Sequence, residues 1–330
     1  MATVTVRLPG SPANREEPGL LPGRLPLDLA QLLHLADRAG DLPLPLRADS
    51  EAAAGGSDHL AERLSGQGAA PGPTARDRLA EARARADDEG PNGAAAQLRA
   101  EGLLDADGDP LPAITRALRL LAAPEVLLTL DLAADTPLGP AQLRSWFALR
   151  DGEAAQLSTA TGLDHELAWY PAHLLPAALE RAATVTVAEQ APAEDDGEAP
   201  EVPVPDGSRL PYDLMLAGTE AVRRHRGDLL EDLARRYADQ VVLPDPGVTT
   251  VDAIEALERD CRGRLRVTVV MPASGDRPPV AGLVSWSLLA DGWRWLEPRS
   301  DGPEPSVVVH RVAPAELGRV VAPVLARVVR

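Results

Sequence analysis

The sequence contains no lysine. All 33 basic residues are arginine, against 50 acids, for a formal net charge of -17. Such a chain repels phosphate backbones, and no arginine stripe interleaved with aromatics offsets the repulsion, so nucleic-acid binding is not expected. An anionic membrane surface is disfavoured for the same reason. There is one cysteine, Cys261. That excludes a disulfide within the chain and a cysteine metal site. Aromatic residues make up only 3% of the chain, so Leu, Val and Ala must supply most of the core. No uncharged apolar run reaches the ~18 residues that a membrane helix needs. Met1–Gly10 holds one arginine and no long apolar stretch, unlike a signal peptide. These features lead to the expectation of a cytoplasmic protein.

What is present is an internal duplication, found as three matches in the same order. Ala2-Thr-Val-Thr-Val6 recurs as Ala183-Thr-Val-Thr-Val187. Arg24-Leu-Pro-Leu-Asp-Leu29 recurs as Arg209-Leu-Pro-Tyr-Asp-Leu214. Leu143-Arg-Ser-Trp-Phe-Ala-Leu-Arg-Asp-Gly152 recurs as Leu283-Val-Ser-Trp-Ser-Leu-Leu-Ala-Asp-Gly292. The spacing falls between the second match and the third, which requires an insertion in the first half. Residues 48–74, rich in Gly, Ala, Ser and Pro, suit that insertion as a flexible loop. The aligned Trp146 and Trp286 then hold equivalent positions, which argues for core packing. Trp293 and Trp295 alternate with Arg294 on one strand and share a face.

Hydrophobic periodicity supplies the elements. Thr3–Leu8 alternates as a strand, and Leu27–Ala39 has the pattern of a helix stopped by Gly40. Leu42–Arg47, alternating with Pro, suits an edge strand. An Ala/Arg/Glu helix pattern covers 75–101. In the first half, Ile114–Ala122 is a helix. Glu125–Asp131, Leu143–Leu149, Ala154–Ala160 and Glu166–Tyr170 are strands, with Asp151-Gly152 as a hairpin turn, and Pro176–Ala183 is a closing helix. In the second half, Val251–Glu258 is a helix. Arg264–Met271, Val280–Leu289, Trp293–Glu297 and Ser306–His310 are strands, and Pro314–Val329 is the closing helix. Residues 188–208, acidic and Pro-rich, link the halves.

The expected fold is α+β, with a central antiparallel sheet built from two pseudo-symmetric halves and flanked by helices. The halves are 1–183 and 184–330. Joining two half-sheets edge to edge would protect both edges, so one unit is expected rather than two beads.

No phosphate loop, zinc signature or nucleophile elbow is present. His165-Glu166 begins like a zincin helix, but the fourth residue on is Trp169, and the context is a strand. Asp105, Asp107 and Asp109 begin like a calcium loop. Gly108 then stands fourth instead of sixth, and Arg116 takes the place of the bidentate Glu. A polar turn fits better. Neither a catalytic residue nor a metal or cofactor site is assigned. An unrecognised hydrolase using His165 or His173 is the least favoured of three readings.

Leu42–Arg47, Leu118-Arg-Leu-Leu-Ala-Ala-Pro-Glu-Val126, Gly263-Arg-Leu-Arg-Val267, Val284-Ser-Trp286, Asp291-Gly292 and Ala313-Pro-Ala-Glu-Leu317 together resemble segments of the EspG family, cytosolic chaperones of type VII (ESX) secretion. The all-arginine, Ala-rich composition also suits an actinobacterial source. The resemblance implies an antiparallel sheet with helical bundles, and a chaperone that binds the apolar tip of a helical secreted protein such as a PE–PPE pair. Covering such a tip keeps the cargo soluble for export. The family's contacts fall in a sheet loop and a C-terminal helical region. By position these are the loop Ala133–Ala141, with Thr136, Leu138 and Arg144, and the last helix, with Arg319 and Arg327. The alternative is a self-associating scaffold or regulatory protein of the same fold, such as a homodimer.

Overall fold

The computed structural model describes residues 3–6, 23–46, 75–88, 90, 93–136, 139–160, 164–188, 204–273, 278–289, 291–300, 302 and 304–329. The expected insertion, 48–74, and most of the linker lie outside the described residues, as does Leu138.

Ten strands form one antiparallel sheet. From the first half come β2 (Gly23–Asp28), β3 (Val126–Thr136), β4 (Gly139–Arg150), β5 (Glu153–Thr159) and β6 (Asp164–Pro171). From the second come β8 (Ser208–Pro211), β9 (Gly263–Met271), β10 (Val280–Leu289), β11 (Gly292–Arg299) and β12 (Ser306–Val312). The spatial order is β2-β6-β5-β4-β3-β9-β10-β11-β12-β8, so each half-sheet mirrors the other across the β3–β9 seam. β1 (Thr3–Val6) and β7 (Val185–Ala188) form a separate two-stranded ladder. The expected edge-to-edge union is what is observed.

Both outer edges are blunted. β2 carries Pro26, which has no N–H to offer a further strand. β8 has four residues, and Arg209 exchanges both backbone hydrogen bonds with Val242, at 2.8 and 3.0 Å.

The seam corrects the duplication by one residue. A two-fold axis between antiparallel neighbours passes through a paired couple, so equivalent residues are separated by that couple's spacing. Thr129 pairs with Thr268, 139 residues on, and every β3–β9 couple has an odd spacing. The same 139 takes Arg150 and Glu153, which close the β4–β5 hairpin, to Leu289 and Gly292, which close β10–β11. The sequence match gave 140. An odd-for-even slip sends every side chain to the other face. Trp146 and Trp286 therefore lie on opposite faces, and Phe147 is the counterpart of Trp286. The slip arises at the turns. Asp151 and Gly152 both sit in theirs, with φ of 50° and 77°, whereas Gly292 is already a strand residue opposite Leu289.

The lower face is closed by α5 (Leu175–Ala183) and α9 (Leu317–Val328), the two closing helices. Leu128, Leu130, Phe147, Val267, Trp286 and Val321 are among the residues buried in this layer. Gly318 lets the two helices touch, since a Cβ there would come 2.7 Å from that of Pro176.

Two helical groups occupy the wings of the upper face. In the first half these are α1 (Leu29–Arg38), α2 (Ala75–Ala86), α3 (Ala94–Ala100) and α4 (Pro112–Ala122). Asp28 and Gln31 form a capping box at the start of α1, at 2.8 and 2.9 Å. Leu32, Leu35, Leu118 and Leu121 pack with Trp146 and Leu157. In the second half the group is α6 (Tyr212–Arg223), α7 (Gly227–Arg236) and α8 (Thr250–Arg259), gathered around Leu214, Leu230 and Ile254.

Three local expectations change. The helix expected over Leu27–Ala39 begins at Leu29, because Arg24–Asp28 continues the ladder with β6 and Asp28 caps the helix. Leu42–Leu44 pairs with no strand among the described residues, and Pro45-Leu46 is helical, so Leu42–Leu46 is not a strand. The expected loop Ala133–Ala141 is mostly ladder, paired through Thr136 and Gly139.

Candidate functional site

Between the two helical wings, the upper face of β3, β9 and β10 has an exposed floor. Thr129 and Thr268 pair at its centre. Ala133, Arg264, Arg266 and Leu283 are exposed around them, and Leu283, at 50%, is the most exposed large apolar side chain of the sheet. Alternation explains the two faces. Leu128, Leu130 and Leu132 point down into the closed layer, so Thr129, Asp131 and Ala133 point up.

The floor is basic in an acidic protein. Arg144 on β4 bonds Asp131 at 2.5 Å, and its guanidinium lies 6.0 Å from the Trp146 ring centroid. Arg264 bonds Glu258 of α8 at 2.7 Å, which ties the second-half wall to the floor. Arg223 of α6 reaches the same carboxylate at 3.2 Å. Arg266 is Cα partner to Asp131 and Ser285, and no ion pair holds it among the described residues. An exposed leucine beside a guanidinium without a counter-ion suits a partner with an apolar side chain next to an acid.

The expected contact residues separate in space. Arg144, on the neighbouring β4, borders the floor through its bond to Asp131. Thr136 ends β3 at the tip of the β3–β4 hairpin, near the floor's edge. Arg319 and Arg327 are exposed on α9, in the layer that closes the lower face. The floor's own Arg264, Arg266 and Leu283 were missed. The signal for them was the strict alternation of β9, where Arg264 and Arg266 interrupt Leu265 and Val267.

The remaining histidines and acids do not converge. His165 is buried on β6, and His173 is exposed in a 3-10 turn, Ala172–Leu174. Among the described residues, no group of three or more His, Cys, Asp or Glu could hold a metal ion. The aspartates at 105–109 make the expected turn. Asp105 accepts from the backbone of Asp107 and of Asp109, at 3.0 and 2.9 Å.

A separate buried polar group lies under the first-half edge. Glu166 on β6 faces Arg24 of β2 at 3.4 Å. Burial pushes its pKa up to about 7, against the pull of Arg24 and Arg181. Burial also lowers the pKa of Arg24 and raises that of Tyr170. Nearby, Gln156 donates to Ser158 at 2.8 Å, and Ser158 shares a 2.8 Å bond with Ser145. These bonds satisfy polar groups inside the sheet and fasten strands.

Among the described residues, no helix is long and apolar enough to cross a membrane. No protein-family model matches the chain, and no curated protein matches it. A solved structure does. The chain is similar to the type VII secretion system chaperone EspG5 of Mycobacterium tuberculosis, solved in complex with a PE25-PPE41 dimer. The TM-score is 0.54 at 12% identity, over 93% of this chain and 96% of that one. A second structure, HtdX of the same organism, superposes at a TM-score of only 0.15 and carries no argument. The fold is therefore that of an EspG chaperone, as the sequence resemblance implied.

Proposed function

We propose that the protein is a cytoplasmic type VII secretion chaperone or adaptor rather than an enzyme. It receives the apolar tip of a helical secreted protein, such as a PE–PPE-like pair, on the open floor. The observation that carries this reading is the floor itself, a sheet surface left uncovered between two helical wings. Leu283 supplies an apolar contact, and Arg266 and Arg264 supply charge. The shared fold with a chaperone solved in complex with a PE25-PPE41 dimer supports the same reading. A chaperone gains by burying cargo apolar surface at roughly 25 cal/mol per Å2 while its own fold stays unchanged.

Of the contacts proposed from position, Arg144 and Thr136 belong with the floor, and Leu138 follows Thr136 in the chain. A role for Arg319 and Arg327 requires a second surface on α9. The alternative, a self-associating scaffold, would have to pair through edges that Pro26 of β2 and the Arg209–Val242 bonds of β8 blunt.

The test is affinity capture from the native host with the intact chain and with Arg266→Glu/Leu283→Glu. The expected result is a small helical secretion substrate held by the intact chain and lost from the variant. Recovery of equal amounts by both would reject the floor. Failure to recover any such substrate, with a stable homodimer by light scattering, would favour the scaffold.

A further inference from the structure

Two adjoining clefts of ≈ 590 and ≈ 570 Å3 open beside α4, away from the floor. They share Pro112, Arg116, Leu120 and Glu153. The volumes are in the range of ligand sites. One cleft is walled by Ala113, Ala117, Ala154, Trp169 and Tyr170. The other is lined by Arg116, Arg119 and Arg150, with Asp151 and Glu153.

The aromatic wall is fixed before anything binds. Trp169 lies across β2 at Gly23, where a Cβ would come 2.0 Å from the indole. Only glycine permits that contact. Tyr170, the next residue on β6, turns its ring to the other face, where its hydroxyl donates to Gln156 at 3.4 Å, so the Trp169 indole is the aromatic ring on the α4 side.

The basic side is incompletely neutralised. Arg116 is paired with Glu153 at 2.5 Å. Arg150 reaches acids only loosely, Asp151 at 3.4 Å and Glu125 at 4.0 Å. Arg119 is exposed and holds no ion pair among the described residues. Arg116 and Arg150 thus have acidic neighbours, in Glu153, Asp151 and Glu125, and Arg119 is left as the guanidinium without one among the described residues.

The duplication supplies an internal comparison. At 139 residues on from Ala154 and Ala155 stand Trp293 and Arg294, both buried. Arg294 is there bonded to Asp291 at 2.5 Å. Of these two alanines only Ala154 lines a cleft, so that part of the lining is not repeated in the second half, where Trp293 stands.

We infer that this pair of clefts is a second binding site, for an acidic peptide segment that places an apolar side chain against Trp169 and a carboxylate against Arg119 and Arg150. The Arg116–Glu153 pair stands in the lining common to both clefts, so the peptide carboxylate can take over Arg116 from Glu153. The site does not depend on the floor, and the two can be tested separately.

The probes are four fluorescein-labelled hexapeptides. Each carries two glutamates after one anchor, which is Pro, Leu, Phe or Trp. A matched set carries lysines in place of the glutamates. Fluorescence anisotropy with the full chain is expected to show at least one acidic peptide binding tenfold or more tightly than its lysine counterpart. Arg119→Glu should weaken it at least tenfold, and Ala113→Trp, which fills the apolar wall from an exposed position, should do the same. Both variants should keep the thermal midpoint of the parent and retain Leu283-dependent capture of the floor's partner. Two results would overturn the site: no acidic peptide preferred over its lysine form, or binding that survives both variants.

Discussion

Thr5 and Thr186 are direct partners across the β1–β7 ladder, and they are also the same residue of the duplicated segment. A segment pairs with its own copy at its second threonine, as a local two-fold axis demands. Thr129 and Thr268 do the same in the large sheet. The two halves are thus joined by two ladders, and the larger one is continuous with the closed layer beneath it. Unfolding should be a single transition. Far-ultraviolet circular dichroism and tryptophan fluorescence, followed in urea, should give coincident midpoints. Two resolved transitions would mean that the halves are independent.

The buried carboxyl of Glu166 makes stability depend on pH. Its folded pKa of about 7 lies above the ordinary 4.5, so the folded state holds the proton more tightly between those values. Stability is highest below the ordinary value and is lost as pH rises through the folded one, by up to about 3 kcal/mol. Arg24 and Arg181 limit the loss. Glu166→Gln should flatten the profile, with its largest relative gain near pH 8. Urea midpoints at pH 5.5 and pH 8 provide the comparison; an unchanged slope in the variant would show that Glu166 is not responsible.

Trp286 should matter for volume and not for its N–H. It is 1% exposed, and its Nε1 has no hydrogen-bond partner among the described residues. Trp286→Ala should cost about 3–5 kcal/mol. Trp286→Phe should cost roughly 1–3 kcal/mol, the usual range for partial loss of a buried side chain. Equilibrium denaturation measures both, and equal losses would point to a polar role.

Removing the cap of α1 should loosen the first-half wing. Asp28→Ala deletes the capping box and the contact with Arg85 at 2.9 Å. The expected cost is about 1 kcal/mol. Amide hydrogen exchange should quicken in α1 while the β3–β9 seam stays protected. Uniform quickening would show that the cap acts on the whole fold.

Charge reversal separates the candidate contacts. Arg144→Glu and Arg266→Glu should each weaken capture of a floor partner at least tenfold. Arg319→Glu and Arg327→Glu should leave it unchanged, because α9 closes the other face. Loss with the α9 variants and not with the floor variants would move the site to α9.

Most strands could be read from alternation, and the joining of half-sheets from the need to protect edges. β2 was hidden because Leu27 and Leu29 also fit a helical stripe, and only Asp28 marks the change. α6 and α7 were passed over because few of their residues are buried; in α7 Leu230 alone is. The one-residue slip at Gly292 could not be read from the sequence. An Asp-Gly pair suits a turn in either register, and the matching tryptophans made the wrong register look right. The floor was invisible for a related reason. Alternation reveals that a strand has two faces, but not that neighbouring helices stop short of covering one of them.

The floor draws β3 from one half and β9 and β10 from the other. Neither copy of the duplicated unit possesses it alone. Two untethered copies would have to meet in solution to build it, and dilution would then dismantle it. Carried on one polypeptide, the seam forms at a fixed effective concentration that the linker sets. The floor is consequently present at any abundance of the protein, and the two sides of the seam were free to diverge, so that Arg144 stands on β4 where Leu283 stands on β10.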